Sequence, residues 1–450
     1  MITVSNPYNQ QTIKQYTEMS DAALQQRLGT LGKQYHQWSK RSFGDRAKGI
    51  ESLIGVLEQH KQAAALAMTN EMGKPITQAL PEIEKCQSLC QYYLDEGESF
   101  LSPRPLPDQA YQVHEPTGII FGVMPWNFPF WQVFRYVIPN LLVGNVCALK
   151  HAPNVTGVAM LLEQLFQEAG LGDVFAALVI DVKQVPSVIQ HPCVAGVTFT
   201  GSAKTGRVIA GHAGQALKKV VLELGGSDPC LVLADAEVNQ AVQAIIAARL
   251  NNAGQVCIAP KRIFVDTTIF SEFHLALCQQ LTTYKAGNPQ DPSVTLGPLA
   301  RDDLRQALIK QVELSCQLGA QANEIGHTPK QGYFYTPTIL TDIKPGMPAF
   351  DQELFGPVFS LIETAGDQNA LELANQSIYG LSGCIFSKDI DRAERLASQL
   401  QVGMCAINRT VRSDPRYPFG GVKQSGFGRE MGKEGLYAFT NLKVIMGKNS

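Results

Sequence analysis

Two runs of alternating strand-like and helix-like segments constrain this chain more than any other feature. In the first, Ile119 to Met124, Val146 to Lys150, Phe175 to Ile180, Val194 to Thr200 and Val220 to Leu224 are short strand-like pieces. Helix-like stretches at residues 154–169 and Ala203 to Ala213 lie among them. The second run opens with Cys230 to Leu233 and the helical pattern Asp235 to Leu250. Strand-like pieces near 262–266, 335–340, 358–362, 383–386 and 403–407 follow, with helices between. Such alternation joins parallel strands through right-handed crossovers, so the fold class is α/β. Gly225-Gly226-Ser227-Asp228-Pro229 separates the runs, and 450 residues are too many for one simple core.

Ahead of these runs, residues 20–100 read as helical. Asp45 is placed to cap a run in which Ile50, Leu53, Ile54 and Leu57 recur at helical spacing, and Gly73-Lys74-Pro75 stops it. A second helix carries Ile83, Cys86, Leu89, Cys90 and Tyr93 on one face. Ser102 to Pro107 holds three prolines, which fix φ and remove donors, so it reads as a connector and neither element. Tyr111 to Glu115 alternates as a strand would, with Pro116-Thr117-Gly118 turning into the first run. Leu442 to Met446 falls outside the sheet pattern and is expected to pair with 111–115 or with another subunit.

Composition excludes several classes of function. A net charge of −2 and the lack of a Lys/Arg run give no footprint for nucleic acid or an anionic membrane surface. No stretch reaches the roughly 18 apolar residues of a membrane span, and no secretory signal is visible at Met1 to Pro7. The ten cysteines are scattered, with no Cys-x-x-Cys pair or Cys/His ligand set, so neither metal nor disulfides are expected. The expected compartment is a reducing cytoplasm.

Several stretches could carry chemistry. Cys257, in Asn252-Ala253-Gly254-Gln255-Val256-Cys257-Ile258, is either a packed thiol or a nucleophile. Glu223 ends an apolar strand, where burial would raise its pKa; it is a general base or a structural carboxylate. Asn127, bracketed in Pro125-Trp126-Asn127-Phe128-Pro129, suits a rigidly aimed amide N–H or simply a core corner. Lys150 closes a strand at the sheet's carboxyl edge, and Gly201-Ser202 lies at a strand-to-helix junction whose free N–H groups attract phosphate. Arg135 could clamp a carboxylate or snorkel from a helix. Glu353 to Val358 and Phe419 to Glu430 are loops rich in glycine and aromatic residues.

In this order, the motifs resemble the NAD(P)-dependent aldehyde dehydrogenase superfamily, from about residue 5 to the C-terminus. The resemblance implies a Rossmann-like cofactor domain at 1–101 and 122–225 and an α/β catalytic domain at 226–430. It adds a small β oligomerisation flap at 102–121 and 431–450, making a homodimer or homotetramer. It implies that Cys257 is the nucleophile and Glu223 the base, with Asn127 and the Cys257 N–H as the oxyanion hole. Trp126, Lys150, Gly201, Ser202, Leu224, Glu353 and Phe355 are then the cofactor residues. Within the superfamily, Trp131 to Arg135 and Lys150 to Pro153 look most like short bacterial enzymes oxidising succinate semialdehyde. Arg135 and Ser413 match that pocket, where Arg409, Arg412 or Arg416 could add charge.

Two departures matter. Pro153 stands where many relatives place a Glu that meets the adenine ribose, so NAD or NADP is expected, NAD the favoured one. Asn251 replaces an arginine that some succinate-semialdehyde relatives carry six residues before the nucleophile, so the carboxylate clamp is built differently. Ala259 rules out a neighbouring-cysteine disulfide switch. Three other readings stand beside this one: oxidation of glutarate semialdehyde or an uncharged aldehyde, a CoA-acylating enzyme (against which Glu223 argues), and a retired dinucleotide-binding structural protein.

Overall fold

Three helices, Asp21–Trp38, Phe43–Met72 and Ile76–Leu101, open the fold after a short antiparallel hairpin, Ile2–Ser5 with Thr12–Tyr16. The computed structural model describes residues 1–447, so the last three residues of the expected flap lie outside it. The cap of the second helix is not Asp45. Ser42 takes the cap position and its hydroxyl accepts the Asp45 N–H, leaving Asp45 in the first turn beside the positive end of the helix. Gly73 ends that helix at φ 80°, a left-handed conformation suited to glycine.

The first run forms a six-stranded sheet in the order Gly426–Phe427, Lys219–Glu223, Val194–Thr200, Ile119–Met124, Val146–His151, Phe175–Ala177. Its pairings are parallel except at one edge, where Gly426–Phe427 runs antiparallel to Leu222 and Glu223. The central strands are buried on both faces, which is why they read as unbroken apolar stretches. The strand expected over 175–180 stops at Ala177.

The second run forms a seven-stranded sheet: Gln321–Glu324, Thr338–Thr341, Val358–Thr364, Pro260–Asp266, Asp228–Val232, Ser382–Phe386, Met404–Ile407. The first of these is antiparallel, polar and exposed throughout, so no apolar period announced it. Each large sheet has its own core of buried aliphatic and aromatic side chains.

A third, three-stranded sheet places Tyr111–Pro116 between Thr440–Ile445 and Arg104–Pro105. The final strand therefore pairs within its own chain, Leu442 opposite His114. The proline segment at 102–107 is not wholly a connector, because Arg104 and Pro105 pair at the sheet edge, where a missing N–H is tolerated. Among the described residues, no helix is long and apolar enough to cross a membrane.

Candidate active site

The loop that carries Cys257 leaves helix Val238–Leu250 through consecutive left-handed residues: Asn252 at φ 50°, Ala253 at φ 53° and Gly254 at φ 78°. Backbone held there by non-glycine residues is strained and needs outside support. Two buried cations provide it. Arg249 donates to the carbonyls of Val358 (2.7 Å), Gly254 (3.1 Å) and Leu354 (2.6 Å), and Lys261 to those of Cys257 (2.6 Å) and Val256 (3.0 Å). Gly254 has no substitute, since a Cβ there would lie 2.3 Å from the Gly356 carbonyl. Cys257 is partly exposed, on the wall of a cavity of about 610 Å³. Crowding around the thiol pushes its pKa up to about 12, against the opposing charges of Lys261 and Arg135.

Asn127 is fixed to the same loop. Its Nδ2 donates to the Gln255 carbonyl at 3.0 Å, and Asn252 Nδ2 donates to the Asn127 carbonyl at 2.8 Å. One of the two amide protons of Asn127 remains available to a second acceptor. His151 ties this turn to the sheet: its Nε2 meets the Pro129 carbonyl at 2.9 Å, and burial lowers its pKa to about 4, so it stays neutral.

Glu223 is 2 % exposed and neither of its carboxylate oxygens has a partner among the described residues. Burial first, and the nearby Glu430 second, push its pKa well above the usual carboxylate range, with Arg135 and Arg429 opposing. Glu430 Oε1 accepts the Thr198 hydroxyl at 3.0 Å, and its Oε2 lies 2.6 Å from Arg135 Nη2, an ion-pair contact without hydrogen-bond alignment. Arg135, 2 % exposed, also lies over the Phe419 ring, 4.4 Å from its centroid.

The cavity brings Cys257, Arg135 and Ser413 together, along with Phe128, Trp131 and Lys85. Asn127 and Glu223 are not on its lining; Asn127 stands behind it on the Gln255 carbonyl, and Glu223 at the end of Lys219–Glu223. Arg409 and Arg416 also stay off the lining, Arg416 paired with Asp414 at 2.7 Å, while Arg412 is on it. Lys85, Arg249, Lys261, His151 and Glu430 were not singled out from the sequence. A cation inside an apolar run, as in Ile245 to Leu250, was the available signal for Arg249 alone.

The remaining residues gather at the carboxyl ends of neighbouring parallel strands, where α/β sheets bind ligands. Trp126 follows Ile119–Met124, Lys150 is the penultimate residue of Val146–His151, Gly201 and Ser202 follow Val194–Thr200, and Leu224 follows Lys219–Glu223. Phe355 meets Trp126 edge to face, centroids 6.0 Å apart, and Glu353 reaches Lys261 and the Gly226 N–H, each at 3.2 Å. These residues fit a dinucleotide. Thr200 Oγ1 is buried at this rim without a partner among the described residues, and helix Ala203–Gln215 begins with no acid in its first turn to repel phosphate.

Comparison with known proteins points one way. A profile described as the Aldehyde dehydrogenase family matches residues 1–445. The chain is 39% identical to a succinate-semialdehyde dehydrogenase (NADP(+)) of Deinococcus radiodurans over 98% of this chain and 93% of that one. It is 42% identical to the succinate semialdehyde dehydrogenase (NAD(P)+) Sad of Escherichia coli, over 91% and 90%. The crystal structure of succinic semialdehyde dehydrogenase from Streptococcus pyogenes with NADP+ superposes at a TM-score of 0.96, with 36% identity and 99% of each chain covered.

Proposed function

The chain belongs to the aldehyde dehydrogenase family, and on that premise we propose that it oxidises succinate semialdehyde to succinate with NAD(P) as the electron acceptor. The observation that carries this reading is the meeting of a thiol, Cys257, with the cationic and hydroxyl groups of Arg135 and Ser413 in one cavity. A donor-rich pocket favours an aldehyde that carries its own carboxylate over an apolar one, because a buried charge left unpaired is costly. The names of full-length relatives agree.

Each residue then has a task. The Cys257 sulfur attacks the carbonyl carbon as thiolate. Its raised pKa means the resting thiol is protonated; positive charge beside it promotes ionisation, and Lys261 and Arg135 already act in that sense. The free N–H of Asn127, with the Cys257 backbone N–H, holds the developing oxyanion. Bound NAD(P) supplies one thing, acceptance of two electrons and a hydrogen from the aldehyde carbon. Glu223 then takes a proton from the water that hydrolyses the Cys257 thioester, for which it must first shed its own.

Trp126, Lys150, Gly201, Ser202, Leu224, Glu353 and Phe355 are the residues we assign to the dinucleotide. With Pro153 in place of an acid, that position offers no carboxylate to repel a 2′-phosphate, and the relatives named with NADP(+) or NAD(P)+ support its use beside NAD. We assign cofactor binding to 1–101 and 122–225, catalysis to 226–430, and subunit contact in a homodimer or homotetramer to 102–121 and 431–450. The edge strand Thr440–Ile445 supports the last, with Leu442 53% and Val444 48% exposed.

Reduced-nicotinamide absorbance with succinate semialdehyde, glutarate semialdehyde and butanal, each against NAD and NADP, tests the proposal. Succinate semialdehyde is expected to give the highest kcat/KM with both cofactors. Equal kcat/KM for butanal would sink the substrate assignment, and failure with NADP the cofactor assignment.

A further inference from the structure

One wall of the cavity in front of Cys257 is the face of a single helix. Thr77, Gln78, Pro81, Glu82 and Lys85 recur at three- and four-residue spacing along Ile76–Leu101, and all line the cavity. Glu82 is already satisfied: it pairs with Lys74 and accepts the N–H groups of Phe130 and Trp131, each at 3.0 Å. Lys85 is not. Its ammonium lies over the Trp131 ring, 4.1 Å from the centroid, and its polar contact among the described residues is the Ser413 hydroxyl at 3.0 Å, not a carboxylate.

The Ser413 oxygen accepts a second hydrogen bond, from Trp131 Nε1 at 2.7 Å. A hydroxyl oxygen has two lone pairs, and here both are engaged, so the Ser413 proton is left to donate away from Lys85 and Trp131. Lys85 and Ser413 thus present donors only. Two other cations line the cavity: Arg135, whose Nη2 lies 2.6 Å from Glu430 Oε2, and Arg412.

We propose that the Lys85 ammonium and the Ser413 hydroxyl together anchor the distal carboxylate of the substrate, making Lys85 the residue that selects a semialdehyde acid over an uncharged aldehyde. This rests on the reading that the substrate carries a carboxylate. A partly buried cation without an ion-paired carboxylate gains from one, and the substrate's carboxylate supplies that charge inside the cavity. Burial and the neighbouring Arg135 lower the Lys85 pKa to about 8, while Cys86, Glu82 and Asp414 pull the other way. Asp414 is in turn held by Arg416 at 2.7 Å.

The test is the ratio of kcat/KM for succinate semialdehyde to that for butanal, an uncharged aldehyde of the same chain length. In Lys85→Met the ratio falls roughly 10- to 100-fold, the loss of one charge-assisted contact, carried mainly by KM for the acid. Lys85→Arg keeps the charge and restores part of the ratio. In the wild type the ratio also declines as pH rises past about 8, whereas in Lys85→Arg it stays flat, a pattern that loss of folding does not produce. An unchanged ratio in Lys85→Met, or the same alkaline decline in Lys85→Arg, overturns the proposal while leaving the oxidation of succinate semialdehyde intact. A wild type with no preference between the two aldehydes overturns both.

Discussion

Replacing Lys261 by methionine removes a single ammonium that holds the nucleophile loop from beneath. Its Nζ donates to the Cys257 carbonyl at 2.6 Å and the Val256 carbonyl at 3.0 Å, and pairs with Glu353 at 3.2 Å. Two charge-assisted hydrogen bonds of about 1.5–3 kcal/mol each are lost, and a buried and a half-buried carbonyl lose this donor. Part of that loss appears as lower stability. The rest displaces the sulfur, and about 2–3 kcal/mol in the transition state corresponds to a roughly 30- to 150-fold fall in kcat/KM. A second effect points the same way: Lys261 is the foremost charge opposing the rise in the Cys257 pKa, so without it the thiol ionises at higher pH still. Steady-state kinetics give the first effect, and the pH dependence of alkylation by iodoacetamide gives the second. A Lys261→Met enzyme with kcat/KM within about threefold of wild type and an unshifted alkylation profile would refute the reasoning.

Other outcomes follow from the same geometry. Asn127→Ala removes an oxyanion donor and is expected to lower kcat by about 10²–10³ with little change in KM, measured by steady-state kinetics; a change confined to KM contradicts the role. Cys257 and Glu223 both act deprotonated and both have raised pKa values, so kcat/KM for butanal should climb from neutral pH into the alkaline range. A profile that peaks below neutrality argues against this reading of the pair. Glu71, which accepts the Val158 N–H at 3.0 Å, has its pKa raised by burial from 4.5 to about 7. The folded protein therefore holds a proton the unfolded chain has released. This contribution is complete below about pH 4.5 and lost as pH rises through 7, amounting to roughly 3 kcal/mol. Melting temperature should fall across that window more steeply in the wild type than in Glu71→Gln, and parallel curves would refute it.

The parts of the fold that were legible in the sequence are those written in local period. The parallel strands of both large sheets read as apolar runs because both faces are covered, and the second and third opening helices kept an apolar face at helical spacing. Gln321–Glu324 was not legible, since an exposed edge strand needs no apolar face. The choice of Ser42 over Asp45 as cap turns on a single turn of helix, below the resolution of periodicity. At the candidate site, Cys257, Glu223 and Asn127 stood out because each is a polar or reactive side chain set among apolar or conformationally restricted neighbours. Their supports did not. The pairing of Arg135 with Glu430 spans nearly 300 residues, and Lys261 and Lys85 are ordinary lysines until the fold buries the first and half-buries the second. Arg135 was open to two readings, a carboxylate clamp or a snorkelling helix residue; in the structure it lines the cavity with one nitrogen 2.6 Å from Glu430.

The central claim is a covalent one, that the aldehyde passes through a thioester on Cys257 which Glu223 resolves. Intact-mass and peptide mass spectrometry of Glu223→Gln, mixed with succinate semialdehyde and NAD(P), tests it most directly. The account predicts a succinyl group accumulating on the peptide that contains Cys257, one per chain, and none in a Cys257→Ala, Glu223→Gln double variant. Turnover by Glu223→Gln at the wild-type rate, or an adduct that survives loss of Cys257, contradicts it.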